Sequence, residues 1–596
     1  MHRKLPKTDV EQPEGVPANA PQFGSDVIAQ TIRDLGIDYI ALNPGASFRG
    51  LHDSLVNYLG NSDPQMLLCL HEEHAVAIAH GYAKVTGRAM AAAVHSNVGL
   101  MHATMAIFNA WCDRMPVVVL GATGPVDADR RRPWIDWIHT AADQGALVRN
   151  YVKWDNQPAS AAAAREALLR GAWIAQTAPK GPVYINFDAE MQEAELMAAL
   201  PEIDGARYSA APQSGVDARV LDEIVGLVRV AKRPVVLAGR VSRDISDWSR
   251  RIAVIEALGA KVISDLKVAT SFPTGHPAYA GDLRGKGGRG TLEVLREADL
   301  IIALDSVDLN GALTAAFGDI GPACKVVRVT LDHHIHNGWS MDHQAHPLAD
   351  VVVGCDPDVF IRALGDVLNV DARGREVLPG SLPEALPGGE VIAVEEIAIA
   401  LRRSLGDATA CLTHVTLSWD GSFWPFNHPH DYLGSDGGGG IGAGPGHAVG
   451  AALALRDIGS DRIPIAICGD GDLVMGITAL WTAVHYSIPL LVVVANNRSF
   501  FNDEVHQEKV ARMRGREVSN KWIGMRMSEP EIAIADMAKA QGCVSFGPIK
   551  DGKTMEAAFA QAIAAVKSGK VAVVEIITDA SYPASLVAAL TPDAKH

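Results

Sequence analysis

The stretch IPIAICGDGDLVMGITALWTAVHYSIPLLVVVANN, residues 463–497, decides the fold. Near its ends, Ile463–Cys468 (IPIAIC) and Pro489–Val494 (PLLVVV) are too short for helices. Their unbroken apolarity fits strands covered on both faces. Between them Leu473–Ser487 has the spacing of one helix. A strand, a helix and a strand make a βαβ unit, which brings the carboxyl ends of both strands to one edge of a parallel sheet. Gly469-Asp470-Gly471 follows the first strand and Asn496-Asn497 closes the second, with 24 residues between Gly471 and Asn496. Asp470 and Asn497 therefore converge, and both offer the hard oxygen donors that Mg²⁺ or Ca²⁺ selects. The glycines permit close backbone approach, and a helix starting near Leu473 aims N–H groups and its positive end at an anion. A diphosphate bridged by Mg²⁺ satisfies such a loop.

The same alternation runs outward along the chain. Pro116–Leu120, Arg233–Leu237, Leu300–Leu304 and Lys325–Val329 are further short apolar runs, while Ser25–Leu35 and Ser160–Ala175 have helical spacing. Alternating β and α predicts an α/β protein with open parallel sheets, doubly wound three times. Pro/Gly-rich stretches at Pro201–Val216 and Ala372–Glu390 read as linkers. They leave domains at 23–200, 217–371 and 391–580, after a flexible N-terminal tail at 1–22 that carries Pro6, Pro13, Pro17 and Pro21.

Composition narrows the function classes. At 48% hydrophobic and 20% charged the 596 residues are neither disordered nor fibrous. The charge balance, 53 − 69 = −16, gives no footprint for nucleic acid and no basic membrane patch. No apolar stretch reaches the roughly 18–20 residues of a membrane span. Seven cysteines stand singly, without a C-x-x-C pair, as buried small hydrophobes in a reducing compartment do. A soluble, cytoplasmic protein with a small-molecule substrate is expected.

Two further stretches carry chemistry. Gly437–Gly450 (GGGGIGAGPGHAVG) precedes an alanine-rich helical run and the IPIAIC strand, so it is a loop opening a helix inside a domain. His71-Glu72-Glu73-His74 follows a strand-like Met66–Leu70 and opens a helical run that closes at Gly87. With these, the GDG…NN loop closely resembles the thiamin diphosphate motif of the thiamin diphosphate-dependent 2-oxo acid decarboxylase and acetolactate synthase superfamily, a resemblance spanning residues 23–580. It implies that the three domains are pyrimidine-binding, central and diphosphate-binding. It also implies metal ligation by Asp470, the Asn497 side chain and the Ser499 carbonyl. Gly469, Gly471 and Asp472 would lie on the diphosphate, with the Asp472 carboxylate turned away because many relatives have Ser or Gly there. Ile441 would wedge the cofactor into a V, and Gly439 would offer its carbonyl to the 4′-amino group.

By the same resemblance Glu72 is a catalytic residue that hydrogen-bonds the aminopyrimidine N1′ from an apolar pocket whose desolvation raises its pKa. Glu72 and the diphosphate loop would belong to different subunits of a homodimer, usually doubled to a homotetramer. His95, in Val94-His95-Ser96-Asn97, matches a working histidine of benzoylformate decarboxylases, although their serine position is Ala46 here, with Ser47 one step later. Ser499–Gln507 would line the substrate funnel. The implied reaction is decarboxylation of a 2-oxo acid through a carbanion–enamine; the alternative is a carboligase that adds this intermediate to a second carbonyl. Asp332–His336 and His428-Pro429-His430 lack metal-site spacing. Arg284–Gly290 is basic, as a nucleotide site would be. FAD, which acetolactate synthases hold with this domain, is not favoured, because no G-x-G-x-x-G follows a strand.

Overall fold

A computed structural model describes residues 10–15, 20–283, 288–335, 345–371, 384 and 391–580. His336, the basic segment 284–287 and nearly all of the 372–390 linker lie outside them. Three open sheets follow one another along the chain, and every ladder in them is parallel. The first has six strands in the order Gln65–Leu68, Tyr39–Leu42, Met90–Val94, Val117–Thr123, Val183–Asp188, Asp155–Asn156. The second, also six-stranded, has Leu300–Leu304 and Pro234–Ala238 at its centre. The third orders five strands as Ala410–His414, Ile463–Gly469, Leu490–Asn496, Val571–Ile577, Val544–Ile549.

Burial on both faces explains the continuous apolar runs. In Ile463–Gly469, Ala466 and Cys468 enter one core, whereas Ile465 and Ile467 enter another across the sheet. The first of these cores also contains Tyr39, Ala41, Val76 and Ile78, so the first and third domains share it. Two helices fuse them: α1 (Glu72–Thr86) and α2 (Gly444–Asp457). Glycines let their backbones touch. A Cβ on Gly446 would lie 2.6 Å from the Ala77 Cβ, and one on Gly81 or Gly450 would collide with the carbonyl of His447 or Ile78. Helix α1 ends at Gly87, which adopts the left-handed φ of +65° that glycine accepts without cost.

The edge strand Gln65–Leu68 is also tied to the third domain. The Leu68 N–H donates to the Tyr486 hydroxyl and its carbonyl accepts from Thr482 Oγ1, both at 2.8 Å. Glu11, in the segment expected to be a flexible tail, accepts from the Tyr486 hydroxyl at 2.7 Å. The Glu11 carbonyl accepts from Asn61 Nδ2 at 3.2 Å.

The predicted strand runs form strands at Val117–Thr123, Pro234–Ala238, Leu300–Leu304, Lys325–Val329, Ile463–Gly469 and Leu490–Asn496. One helix differs. Instead of Leu473–Ser487 there are two, Asp470–Gly476 and Ala479–His485. At the break Gly476 packs under Pro445, whose Cγ would be 3.0 Å from an added Cβ.

Candidate functional site

The βαβ unit builds the first half of the site. Gly469 pairs with Ala495, so Asp470 and Asn497 emerge at one edge of the third sheet. Asp470 Oδ2 and Asn497 Oδ1 accept the same Ser499 N–H, at 3.2 and 2.9 Å. Asp470 Oδ1 accepts from the Gly471 N–H at 2.9 Å. Burial, only partly offset by these backbone donors, pushes the Asp470 carboxyl up to about 6. A buried carboxylate held by backbone N–H groups, an amide oxygen and a nearby backbone carbonyl fit a small hard divalent cation. Arg498, between Asn497 and Ser499, has a φ of +59°. That strained position is fixed in part by the Asn496 side chain, which accepts the Arg498 N–H at 3.0 Å. Asn496 is itself held by Glu575 at 2.7 Å.

The Asp472 carboxylate turns to the glycine stretch. Oδ1 accepts the Gly442 N–H at 2.6 Å, and Oδ2 lies 3.0 Å from His414 Nε2. Ile441, just before Gly442, is 38% exposed beside Met475, whose Cβ lies 3.0 Å from where a Gly442 Cβ would be. Gly439 takes a φ of +74° with open space at its Cβ position.

The first domain supplies the other half from the start of α1. His71 caps the helix by accepting the Glu73 N–H. Glu72 is buried, but its pocket is not apolar as expected. Its Oε2 lies 3.0 Å from His102 Nδ1, and the His102 ring stacks on His71 at 5.0 Å. The cause is packing: Gly99 admits Glu72 against the next helix, α3 (Ser96–Cys112), whose exposed face carries His102. His74 Nε2 meets Thr478 Oγ1 at 2.8 Å, which joins α1 directly to the segment after the Asp470 helix. Glu73 faces Asp472 closely enough to raise its pKa, after the larger effect of burial. The α1–α2 contact and the His74–Thr478 bond join the Glu72 helix to the third domain of the same chain.

His95 ends the strand Met90–Val94, and Ser96 after it is fully buried with a φ of +47°. His95 Nδ1 is 2.8 Å from Ser47 Oγ, and its ring meets His139 edge-on at 4.7 Å. Burial lowers its pKa, and His139 lowers it further. The serine one step from the expected position is thus buried and bound to His95, while Ala46 is exposed. After Ser499, the residues Phe501–Met513 form α4. In it Glu504 is fully buried and accepts Ser499 Oγ at 2.6 Å. The motifs did not assign His71, His102, His139, His414 or Met475, and only His71 lies in a motif that could have flagged it.

The middle domain opens a cavity of 1170 Å³ towards the first. Arg240 on its wall is already paired with Asp305 and Asp332, each at 3.0 Å. His333 and His334 lie in a short turn after Lys325–Val329, and among the described residues neither stands in a cluster of three metal-type ligands.

Comparison with known proteins agrees with the three-sheet architecture. The N-terminal thiamine pyrophosphate-binding domain model matches residues 23–147, the central domain model 221–338, and the C-terminal thiamine pyrophosphate-binding domain model 415–576. The acetolactate synthase large subunit of Corynebacterium glutamicum is 25% identical over 565 residues, covering 90% of this chain and 84% of the relative. Benzoylformate decarboxylase of Pseudomonas aeruginosa is 27% identical over 453 residues, covering 74% and 80%. Among solved structures, the thiamine diphosphate-dependent 4-hydroxybenzoylformate decarboxylase of Rhodococcus jostii RHA1 superposes with a TM-score of 0.74 at 23% identity, covering 94% of this chain and 99% of that one.

Proposed function

We propose, for a chain that belongs to the thiamine pyrophosphate enzyme family matched by those three domain models, that it is a Mg²⁺-dependent lyase removing CO₂ from a 2-oxo acid. Thiamin diphosphate, when bound, supplies a cationic ring that accepts the electron pair of the breaking carbon–carbon bond. The observation that carries the reading is the convergence of Asp470, Asn497 and Ser499 at one edge of the third sheet. In this assignment Asp470, the Asn497 side chain and the Ser499 carbonyl hold the metal. The backbone of Gly469, Gly471 and Asp472 lies along the diphosphate. Ile441 and Gly439 orient the ring end. Glu72 holds a proton at the aminopyrimidine nitrogen, with His102 as its partner on the solvent side. His95, steadied by Ser47, moves a proton at the substrate.

A second reading, a carboligase joining the decarboxylated fragment to another carbonyl compound, is supported by similarity to acetolactate synthases over 90% of the chain. Incubating the Mg²⁺-loaded holoprotein with 2-oxo acids, with and without acceptor aldehydes, and reading products by mass spectrometry separates the two. Free aldehyde alone supports the lyase, and a hydroxy-ketone supports the carboligase. Failure of every 2-oxo acid to lose CO₂ overturns both.

The assembly proposed is a homodimer or homotetramer. Trp134 is 90% and Trp137 73% exposed close to His139, an apolar surface suited to burial against a second copy. Sedimentation velocity tests it. No helix among the described residues is long and apolar enough to cross a membrane. All seven cysteines are free, which supports the cytoplasmic setting. FAD is left out of the proposal, and a yellow purified protein would reinstate it.

A further inference from the structure

The Asp472 carboxylate raises an electrostatic question that the family resemblance does not answer. It lies two residues from Asp470, on a loop assigned to a diphosphate, and it is 7% exposed. An acid buried beside a diphosphate repels it unless a cation sits between or beside them. Asp470 and Asp472 share a seven-residue helix without a basic residue, and the basic group that reaches Asp472 comes from another strand. His414 ends the strand Ala410–His414, next to Ile463–Gly469 in the sheet. Its Nε2 is 3.0 Å from Asp472 Oδ2 and its Nδ1 2.8 Å from Asp436 Oδ1. All three residues are buried.

We infer that His414 is a positioning residue for the diphosphate site: held between Asp436 and Asp472, it neutralises Asp472 and keeps that carboxylate on the Gly442 N–H. The inference rests on the thiamin diphosphate reading and deepens it. Two carboxylates around one imidazole favour its charged form. Burial alone would lower the His414 pKa, yet Asp436 and Asp472 together hold it well above the usual histidine range. The backbone is shaped for the contact, because a Cβ on Gly444 would lie 3.0 Å from the His414 ring and closer still to Asp472 Oδ2. Since Asp472 Oδ1 accepts the Gly442 N–H at 2.6 Å, the clamp also fixes the residue that follows Ile441. The same contact thereby ties the end of the Ala410–His414 strand to the residue beside the wedge.

A competing arrangement uses the same atoms. Ligand atoms of His414, Cys468 and Asp472 lie within 4.8 Å of one another, close enough to share a metal ion. The clamp needs no ion, and the experiment distinguishes the two.

Thiamin diphosphate with excess Mg²⁺ is titrated by calorimetry into the metal-stripped wild type, His414→Gln, Asp472→Ser and the double variant. His414→Gln leaves Asp472 unpaired and is expected to weaken binding at least tenfold. In the Asp472→Ser background the same substitution should cost less than threefold, because the charge to be neutralised is gone. Equal losses in both backgrounds, or no loss in either, overturn the inference. If His414→Gln does not fold, recovery of folded protein in the double variant supports the pairing, and failure of the double variant as well overturns it. Stoichiometric zinc in the purified protein, lost in Cys468→Ala, also overturns it in favour of a metal centre. Absence of any binding by the wild type refutes the cofactor reading itself.

Discussion

Replacing Gly450 by Ala tests the joint between the first and third domains. The added Cβ would lie 2.7 Å from the carbonyl carbon and 2.9 Å from the Cα of Ile78. Ordinary contact begins at 3.4 Å, so the two helix backbones must part by at least 0.7 Å, the difference between 3.4 and 2.7 Å. Neither obstacle is a side chain that can rotate away. Overpacking of this kind costs about 1–3 kcal/mol, and a backbone obstacle belongs at the upper end, about 3 kcal/mol. Alanine returns about 1 kcal/mol through its better helix propensity, leaving a net loss of about 2 kcal/mol. For a cooperative unit of about 150–250 residues that is a fall in Tm of roughly 4–8 °C. Calorimetry reads it directly, with Gly226→Ala as the control. Gly226 lies within the helix Ala218–Val230 with nothing within 4 Å of its Cβ position, so there the propensity gain stands alone and Tm should rise. If Gly450→Ala is as stable as the wild type, the close approach of α1 and α2 is refuted.

Other expectations are independent of that joint. Glu72→Gln should slow hydrogen–deuterium exchange at C2 of bound thiamin diphosphate by about 10²–10⁴-fold, and unchanged exchange by NMR would remove Glu72 from its assigned role. His74, buried against Thr478, has its pKa lowered to about 4, chiefly by burial. Below the ordinary value of 6.5 the unfolded chain takes up a proton that the folded one refuses until pH 4, so stability falls with pH through this window. Denaturant titrations at pH 7 and pH 5 should show about 2 kcal/mol less acid destabilisation in His74→Gln than in the wild type. Ser47→Ala should cost about 1 kcal/mol of stability and shift the pH profile of turnover, since His95 loses its partner. Ala46→Ser, on the surface, should move stability by less than about 0.5 kcal/mol; equal effects of the two would show that Ser47 does not steady His95.

The sheets were legible because their signal is local. Leu300–Leu304 is apolar at every position, and only a strand buried on both faces uses such a run. The GDG and NN termini were legible for the same reason, since a βαβ unit fixes where its strand ends go. The Asp470–Gly476 helix was read too long because its apolar spacing continues past Gly476, and only the distant Pro445 shows why it stops. The surroundings of Glu72 were misread because His102 arrives from another helix, 30 residues on. His414 and Asp436 stand alone in the sequence, 22 residues apart, and nothing short of the folded sheet edge places them around Asp472.

The clasp between Leu68, Glu11 and the helix ending at His485 bears on the order of synthesis. Tyr486 leaves the ribosome 298 residues after Asp188, the last residue of the first sheet to be made. At about 5–20 residues per second that is a delay of roughly a quarter of a minute to a minute. Through that interval the strand Gln65–Leu68 is the bare edge of a finished parallel sheet, a template for pairing with any neighbouring nascent chain. Chains halted before Thr482 should therefore aggregate through their first domain, and the third domain acts on the first as a late, built-in chaperone.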